Sequence, residues 1–173
     1  MIKGLHHNAY RCRDSEETRK FYEEFLGLPL VNAFKIETTM TGRKTGAGVL
    51  HSFFQLDDGS CLAFFEAPEM PFEFKDQHDF DLHIALETTR DHLLAMHAKA
   101  KARGVEVRGI TDHEVFESIY FRDPNGYVIE LAALMPRHEH AVDPTANGAR
   151  AVLDRWQAAK TRSAPKSASL RAG

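Results

Sequence analysis

The sequence predicts an α+β domain made of two β-α-β-β-β modules that form a curved mixed sheet around a metal site, followed by a C-terminal helical tail. Three observations predict it. Period-two and helical-period stretches follow one another in the same order twice. Each unit opens on a strand with His-x-Ala, His7-Asn8-Ala9 in the first and His83-Ile84-Ala85 in the second. The closing strands also align, Gly59-Ser60-Cys61-Leu62-Ala63-Phe64 with Gly126-Tyr127-Val128-Ile129-Glu130-Leu131, which marks an internal repeat.

In the first unit, Ile2–Arg13 alternates as a strand and ends at Asp14-Ser15, a helix N-cap with Glu16 and Glu17 in the first turn. Glu16 to Gly27 has helical spacing at Phe21, Phe25 and Leu26, with Gly27 as C-cap. Leu28–Thr39 reads as a strand, Thr41–Gly48 as a polar loop, Val49–Leu56 as a strand, Asp57-Asp58-Gly59 as a hairpin turn and Ser60–Glu66 as a strand. A linker, Pro68–Asp79, holds Phe72 and Phe74, with Phe80 just beyond. In the second unit, Asp81–Glu87 is a strand, Thr89–Arg103 a helix ended by Gly104, and Val105–Ile110, Ser118–Arg122 and Tyr127–Leu134 are strands. Asp123-Pro124-Asn125-Gly126 joins the last two, with turn-forming residues in place. The repeat fills residues 1–135, as modules 1–68 and 79–135; residues 136–173 form an extension. Within it, Ala146–Lys160 has a helical stripe of Ala149, Val152, Leu153 and Trp156, and the Ser/Ala/Lys-rich end after Thr161 reads as disordered.

The chain of 173 residues is 43% hydrophobic, enough for a core in one domain. Its formal charge is −3 but unevenly spread. Residues 136–173 carry seven Lys/Arg against three acids, net +4, and the rest carries 15 basic against 22 acidic residues, net −7. That balance points away from nucleic acid; a basic tail on an acidic body docks or is solvated. The two cysteines, Cys12 and Cys61, fall in apolar runs and read as buried thiols of a reducing cytoplasm. No signal-peptide or membrane-spanning pattern is present, so a cytoplasmic protein is expected. Strand edges at the ends of the units make a homodimer or higher homo-oligomer the expected assembly.

The chemistry centres on Glu130. Val128, Glu130 and Ala132 share one face of the last strand, and Tyr127, Ile129 and Leu131 the other. A carboxylate in so apolar a strand needs a hydrogen bond, a cation or a metal. If the units pack by a pseudo-twofold, His7, His83, Glu130 and Ala63 converge on one point.

The two β-α-β-β-β units, the opening GLHHNAYRCRD followed by FYEEFLGL, and the closing FRDPNGYVIEL resemble the vicinal oxygen chelate superfamily of glyoxalases, epimerases, resistance proteins and ring-cleaving dioxygenases. Within it, Thr111-x-His113, Ile119-Tyr120, Asp123-Pro124-x-Gly126 and Glu130 resemble the signature of type I extradiol dioxygenases. That resemblance implies His7, His83 and Glu130 as metal ligands, with His113 and Tyr120 hydrogen-bonding substrate and oxygen. It also implies His51, within His51-Ser52-Phe53-Phe54, as acid–base residue. Two His and one carboxylate form the facial set of non-haem Fe(II) oxygenases, leaving positions for two catecholate oxygens and dioxygen.

The implied partners are an aromatic diol and O2, with Fe(II) as cofactor and Mn, Zn, Ni or Co as alternatives. His51 has the right type for a general base, and His113 and Tyr120 can donate to developing negative charge. Phe53, Phe65, Phe72 and Phe74 are candidate pocket walls. The glyoxalase-like members carry a fourth ligand, usually Glu, where this chain has Ala63; Glu66 is kept as a reserve ligand. His6 competes with His7. A non-oxidative metal enzyme of glyoxalase or epimerase type and a small-molecule binding or resistance protein are the alternatives. Each residue also has a plainer reading: a salt bridge for Glu130, a solvated loop for His113, core packing for Tyr120 and structural roles for the histidines.

Overall fold

The computed structural model describes residues 1–76 and 78–163. Its first module runs β1 (His7–Cys12), α1 (Ser15–Arg19), a π-helical continuation (Lys20–Phe25), β2 (Leu30–Thr38), β3 (Lys44–Gln55) and β4 (Cys61–Glu66). The second runs β5 (His83–Thr88), α2 (Arg90–Ala102), β6 (Arg108–Asp112), β7 (Phe116–Arg122) and β8 (Val128–Leu134), and α3 (His138–Val142) and α4 (Ala149–Ser163) follow. Each module is a four-stranded mixed sheet, in the orders β1-β4-β3-β2 and β5-β8-β7-β6. The first strand of each is parallel to the last.

The repeat extends to the register. His7 pairs with Cys61 and Ala9 with Ala63; His83 pairs with Val128 and Ala85 with Glu130. Ala63 and Glu130 are therefore equivalent positions, as the aligned sequences predict.

The predicted element order is the observed one, with local differences. The first strand starts at His7, since residues 1–5 are exposed and make no ladder. Five of the eight residues of the expected 41–48 loop are strand, because β3 starts at Lys44 and bulges let it follow β2. Cys61 is only half buried, because it shares the outer side of its sheet with His7. The extension opens with the short α3, which the sequence pattern does not predict. The end expected to be disordered lies mostly outside the described residues.

The modules join through their helix-bearing faces. Alternation sends Leu62, Phe64 and Phe54 from the first sheet, and Ile84, Ile119, Phe121, Ile129 and Leu131 from the second, into a single core with Phe21, Tyr22, Phe25, Leu93 and Met96. Tyr22 packs on Phe54 and Phe64, and Phe25 meets Phe121 edge to face. Polar clamps pin this arrangement. The Tyr22 hydroxyl donates to Asp123 (2.9 Å), Arg13 N donates to Asn125 Oδ1 (2.8 Å) and the Tyr127 hydroxyl donates to Arg11 O (3.0 Å). The 123–126 turn is thus a joint between modules as well as a hairpin. Gly126, at φ +99°, is required there because a Cβ would lie 2.5 Å from the Lys75 backbone nitrogen. With both inner faces spent on the shared core, each sheet turns its other face outward.

Candidate metal centre

The outer face of the second sheet holds one half of the candidate site. β5 contributes His83, β8 Glu130, and β7 Ser118 and Tyr120, with Tyr120 directly opposite Glu130 in the ladder. Glu130 is 4% exposed. Its Oε1 accepts hydrogen bonds from the Ser118 hydroxyl and from the Tyr120 hydroxyl (3.1 Å). Tyr120 in turn accepts from His113 Nε2 at 2.8 Å, since its own proton goes to Glu130. Burial, and then the charge of Glu130, raise the Tyr120 phenol above its ordinary pKa, so it stays protonated and donating at neutral pH.

His83 completes this half. Its Nδ1 lies 2.8 Å from the Asp79 carbonyl oxygen, which can only accept, so Nδ1 carries the proton and Nε2 keeps a lone pair in the neutral ring. That Nε2 faces Glu130 Oε2 at 3.3 Å. Two acceptors so placed repel unless a positive charge lies between them, either a proton on His83 or a metal ion. The donor set fits a divalent cation: one imidazole fixed in tautomer by its neighbour and one carboxylate oriented by two hydroxyls.

The outer face of the first sheet holds the other half. His7 and His51 have ring centroids 6.1 Å apart. His51 is buried, stacks on Phe65 at 3.8 Å and donates from Nδ1 to Phe64 O (3.0 Å), which leaves its Nε2 free to take a proton. Phe53 packs against both histidines. His7 Nδ1 lies 2.6 Å from His6 Nδ1, so one of these nitrogens carries the shared proton. Ala63 lies fully buried on this face, between Ala9 and Phe53 in the ladder.

The sequence-predicted residues thus form two groups. His83, Glu130, Tyr120 and His113 are joined on one sheet, and His7 and His51 adjoin on the other. Among the described residues no three His, Cys, Asp or Glu side chains converge within one chain. The expected single-chain meeting of His7 with His83 and Glu130 does not occur, because the helices and the shared core occupy the space between the sheets. Glu66 is no reserve ligand here: it is turned to the helix side, where its Oε2 accepts from Ser15 N at 2.8 Å at the start of α1. Of the candidate walls, Phe53 and Phe65 flank His51. Phe72 lies under the Lys75 ammonium and Phe74 is exposed, both in the linker.

Sequence reasoning missed four side chains. Phe34 packs on His51 and Phe53 from β2; its place opposite His51 in the ladder was the available signal. Ser118 holds Glu130. Asp79 positions His83 through its carbonyl and Arg108 through its carboxylate (2.7 Å), a contact that holds the Asp79 pKa below its ordinary value. The Arg108 guanidinium lies over the Tyr120 ring at 5.5 Å. A cleft of about 240 Å³ lined by Arg108, Tyr120, Arg122, Val128 and Glu106 runs along this face.

The family model of the Glyoxalase/Bleomycin resistance protein/Dioxygenase superfamily matches residues 4–131. The chain belongs to that superfamily. Its fold is shared by solved structures of low sequence identity. The fosfomycin resistance protein FosX from Listeria monocytogenes, solved with Mn(II) and sulfate, matches with TM-score 0.59 and 21% identity over 80% of this chain and 98% of that one. A glyoxylase/bleomycin resistance protein/dioxygenase domain from Frankia sp. EAN1pec matches with TM-score 0.62 and 14% identity over 78% and 100%. An integron cassette protein from the Halifax Harbour sewage outfall metagenome matches with TM-score 0.54 and 21% identity over 77% and 100%. Among the described residues no helix is long and apolar enough to cross a membrane.

Proposed function

We propose that the chain is a divalent-metal-dependent enzyme that holds a small substrate through two neighbouring oxygens, with each site assembled from two copies. The observation that carries the reading is the facing pair His83 Nε2 and Glu130 Oε2 at 3.3 Å, with the other oxygen of the carboxylate already held by Ser118 and Tyr120. His7 is the third ligand, supplied by the outward face of a second copy. The exposed apolar residues Leu30, Val31, Phe34 and Ile110 support such an association. The catalytic unit is residues 1–135, in modules 1–68 and 79–135. The unpaired cysteines are in keeping with a reducing cytoplasm.

A bound divalent ion would acidify a coordinated hydroxyl and hold both reactants side by side. The chain's own groups do the remaining work. His51 Nε2 takes a proton from the substrate, its ring held flat on Phe65 and its tautomer fixed by Phe64 O. Without substrate, Tyr120 gives its proton to Glu130 and His113 gives its proton to Tyr120; on substrate binding these two donors would turn to oxygens that gain negative charge. Phe34, Phe53 and Phe65 form an apolar wall for a flat substrate and exclude water.

Two reactions use this set. The Thr111-x-His113 to Glu130 signature and the alanine at position 63 favour Fe(II)-dependent cleavage of an aromatic diol by O2, because three protein ligands leave room for a chelating diol and dioxygen. The likeness to FosX, solved with Mn(II), favours a non-oxidative lyase-, isomerase- or resistance-type reaction. Anaerobic purification, metal analysis and oxygen uptake on a catechol panel after Fe(II) loading separate them: stoichiometric iron with a yellow ring-opened product selects ring cleavage, and no uptake on any diol selects the second reaction.

Mixing chains tests the shared site. His7→Ala and Glu130→Ala each lose metal alone. After unfolding and refolding together, chance pairing restores about one intact site in four if ligands come from two copies. No metal in the mixture would place each site within one chain.

A further inference from the structure

The C-terminal extension contains the helix α4, whose apolar stripe is exposed among the described residues. All twelve residues from 149 to 160 are exposed. They include the apolar stripe Val152 (55% exposed), Leu153 (49%) and Trp156 (65%). A fifteen-residue helix is marginal in water on its own, so an amphipathic one gains its stability by burying its stripe. Its basic residues Arg155 and Lys160 are exposed beside that stripe.

The connector ahead of this helix is tied by local hydrogen bonds. The Thr145 backbone N–H and hydroxyl donate to Asp143 Oδ1 (2.8 and 2.7 Å), Asn147 Nδ2 donates to Ala141 O (2.8 Å), and Ala149 N donates to Asn147 Oδ1 (2.8 Å). This network of turn and cap sets the direction in which α4 leaves the body.

A surface of opposite character flanks the start of β5. Phe80 (92% exposed, its ring centroid 4.6 Å from that of His78) and Phe74 (51%) lie on the segment leading into β5, with the exposed residues Glu73, Asp76 and Asp81 and the part-buried Lys75. A helix with a Trp-Leu-Val stripe, on which Arg150 pairs with Asp154 and Arg155 and Lys160 add positive charge, and an acidic segment with two exposed phenylalanines are complementary in charge and in apolar content. The net charges, +4 over 136–173 and −7 over the rest, have the same sense.

We propose that α4 is an exchanged arm: the Val152, Leu153 and Trp156 face of one copy docks on the Phe74, Phe80, Glu73, Asp76 and Asp81 patch of a second copy. The proposal rests on the two-copy reading of the site. Since the patch adjoins Asp79 and His83, arm docking also covers the approach to the His83–Glu130 half-site.

Trp156 is the only tryptophan of the chain, so its fluorescence reports the arm directly. The full-length protein is followed by emission and by light scattering over the same dilution series. Docking predicts an emission to the blue of the urea-unfolded chain at high concentration, a red shift as the dimer dissociates, and a red shift at constant dimer content in Glu73→Gln/Asp76→Asn/Asp81→Asn. Leu153→Ser should raise the dimer dissociation constant about tenfold, equal to about 1.4 kcal/mol. A blue emission that ignores dilution through dissociation would mean docking within one chain and overturn the proposal. A dimer by scattering whose Trp156 emits like the unfolded chain would overturn the arm and leave the shared site standing. A monomer at every concentration would sink both.

Discussion

Asp123 offers the most demanding test of how the two modules are held. It is 2% exposed, and its carboxylate accepts four hydrogen bonds. Oδ1 takes Asn125 N (2.9 Å) and Tyr127 N (2.8 Å); Oδ2 takes the Tyr22 hydroxyl (2.9 Å) and Asn125 Nδ2 (3.1 Å). Asp123→Ala strands the fully buried Tyr22 hydroxyl and two turn N–H groups, each costing about 1–3 kcal/mol when unsatisfied. Removal of the buried carboxylate offsets part of this, since burial raises the Asp123 pKa and ionising it costs free energy. The expected net loss is about 3–4 kcal/mol by urea unfolding with an unchanged m-value. Asp123→Asn keeps Oδ1 and its two backbone bonds, but its Nδ2 can accept from neither the Tyr22 hydroxyl nor Asn125 Nδ2 and can only donate to the Tyr22 oxygen, so its loss should be smaller than that of alanine, about 1–2 kcal/mol. The pH dependence has a definite sign. Because the folded pKa lies above the unfolded value, the contribution is fully present below the unfolded pKa near 3.8 and is lost as pH rises through the folded one. Relative to Asp123→Asn, the native protein should therefore lose stability as pH rises above 3.8 and then level off. An alanine variant within 1 kcal/mol of the native protein, or one equal to the asparagine variant, would refute the clamp.

Three further outcomes follow from the same geometry. Tyr120→Phe removes the 3.1 Å bond to Glu130 and the partner of His113, so metal should still bind in equilibrium dialysis while turnover falls about 10²–10³-fold. Glu66→Ala takes away the acceptor for Ser15 N and should cost about 1 kcal/mol in thermal unfolding with metal stoichiometry unchanged; lost metal would restore Glu66 as a ligand. Gly126→Ala forces a Cβ against the Lys75 backbone at positive φ and should cost about 2 kcal/mol or more in urea, where a neutral result would remove the close approach of linker and turn.

Much of this was legible because a strand's alternation is local. The paired His-x-Ala openings place His7 and His83 on equivalent faces, and the spacing of Tyr120 and Glu130 about a four-residue turn places them opposite one another, whatever the tertiary arrangement. What was not legible lies one level up. Alternation states which residues share a face; it does not state what that face meets. Tyr22, Phe25 and Phe121 read only as apolar positions, yet their mutual packing decides that the helix-bearing faces share one core and that His7 points away from Glu130. Phe34 and Asp79 were missed for a related reason: one depends on β2–β3 register through a bulge, the other acts through a backbone carbonyl that no side chain announces. The stripe on α4 is a further case. Its period predicts the helix correctly but says nothing of what the stripe meets, and among the described residues Val152, Leu153 and Trp156 stay exposed. The shared site and the exchanged arm, as proposed, answer one physical problem: each would bury outward-facing apolar or poorly paired groups against a second copy.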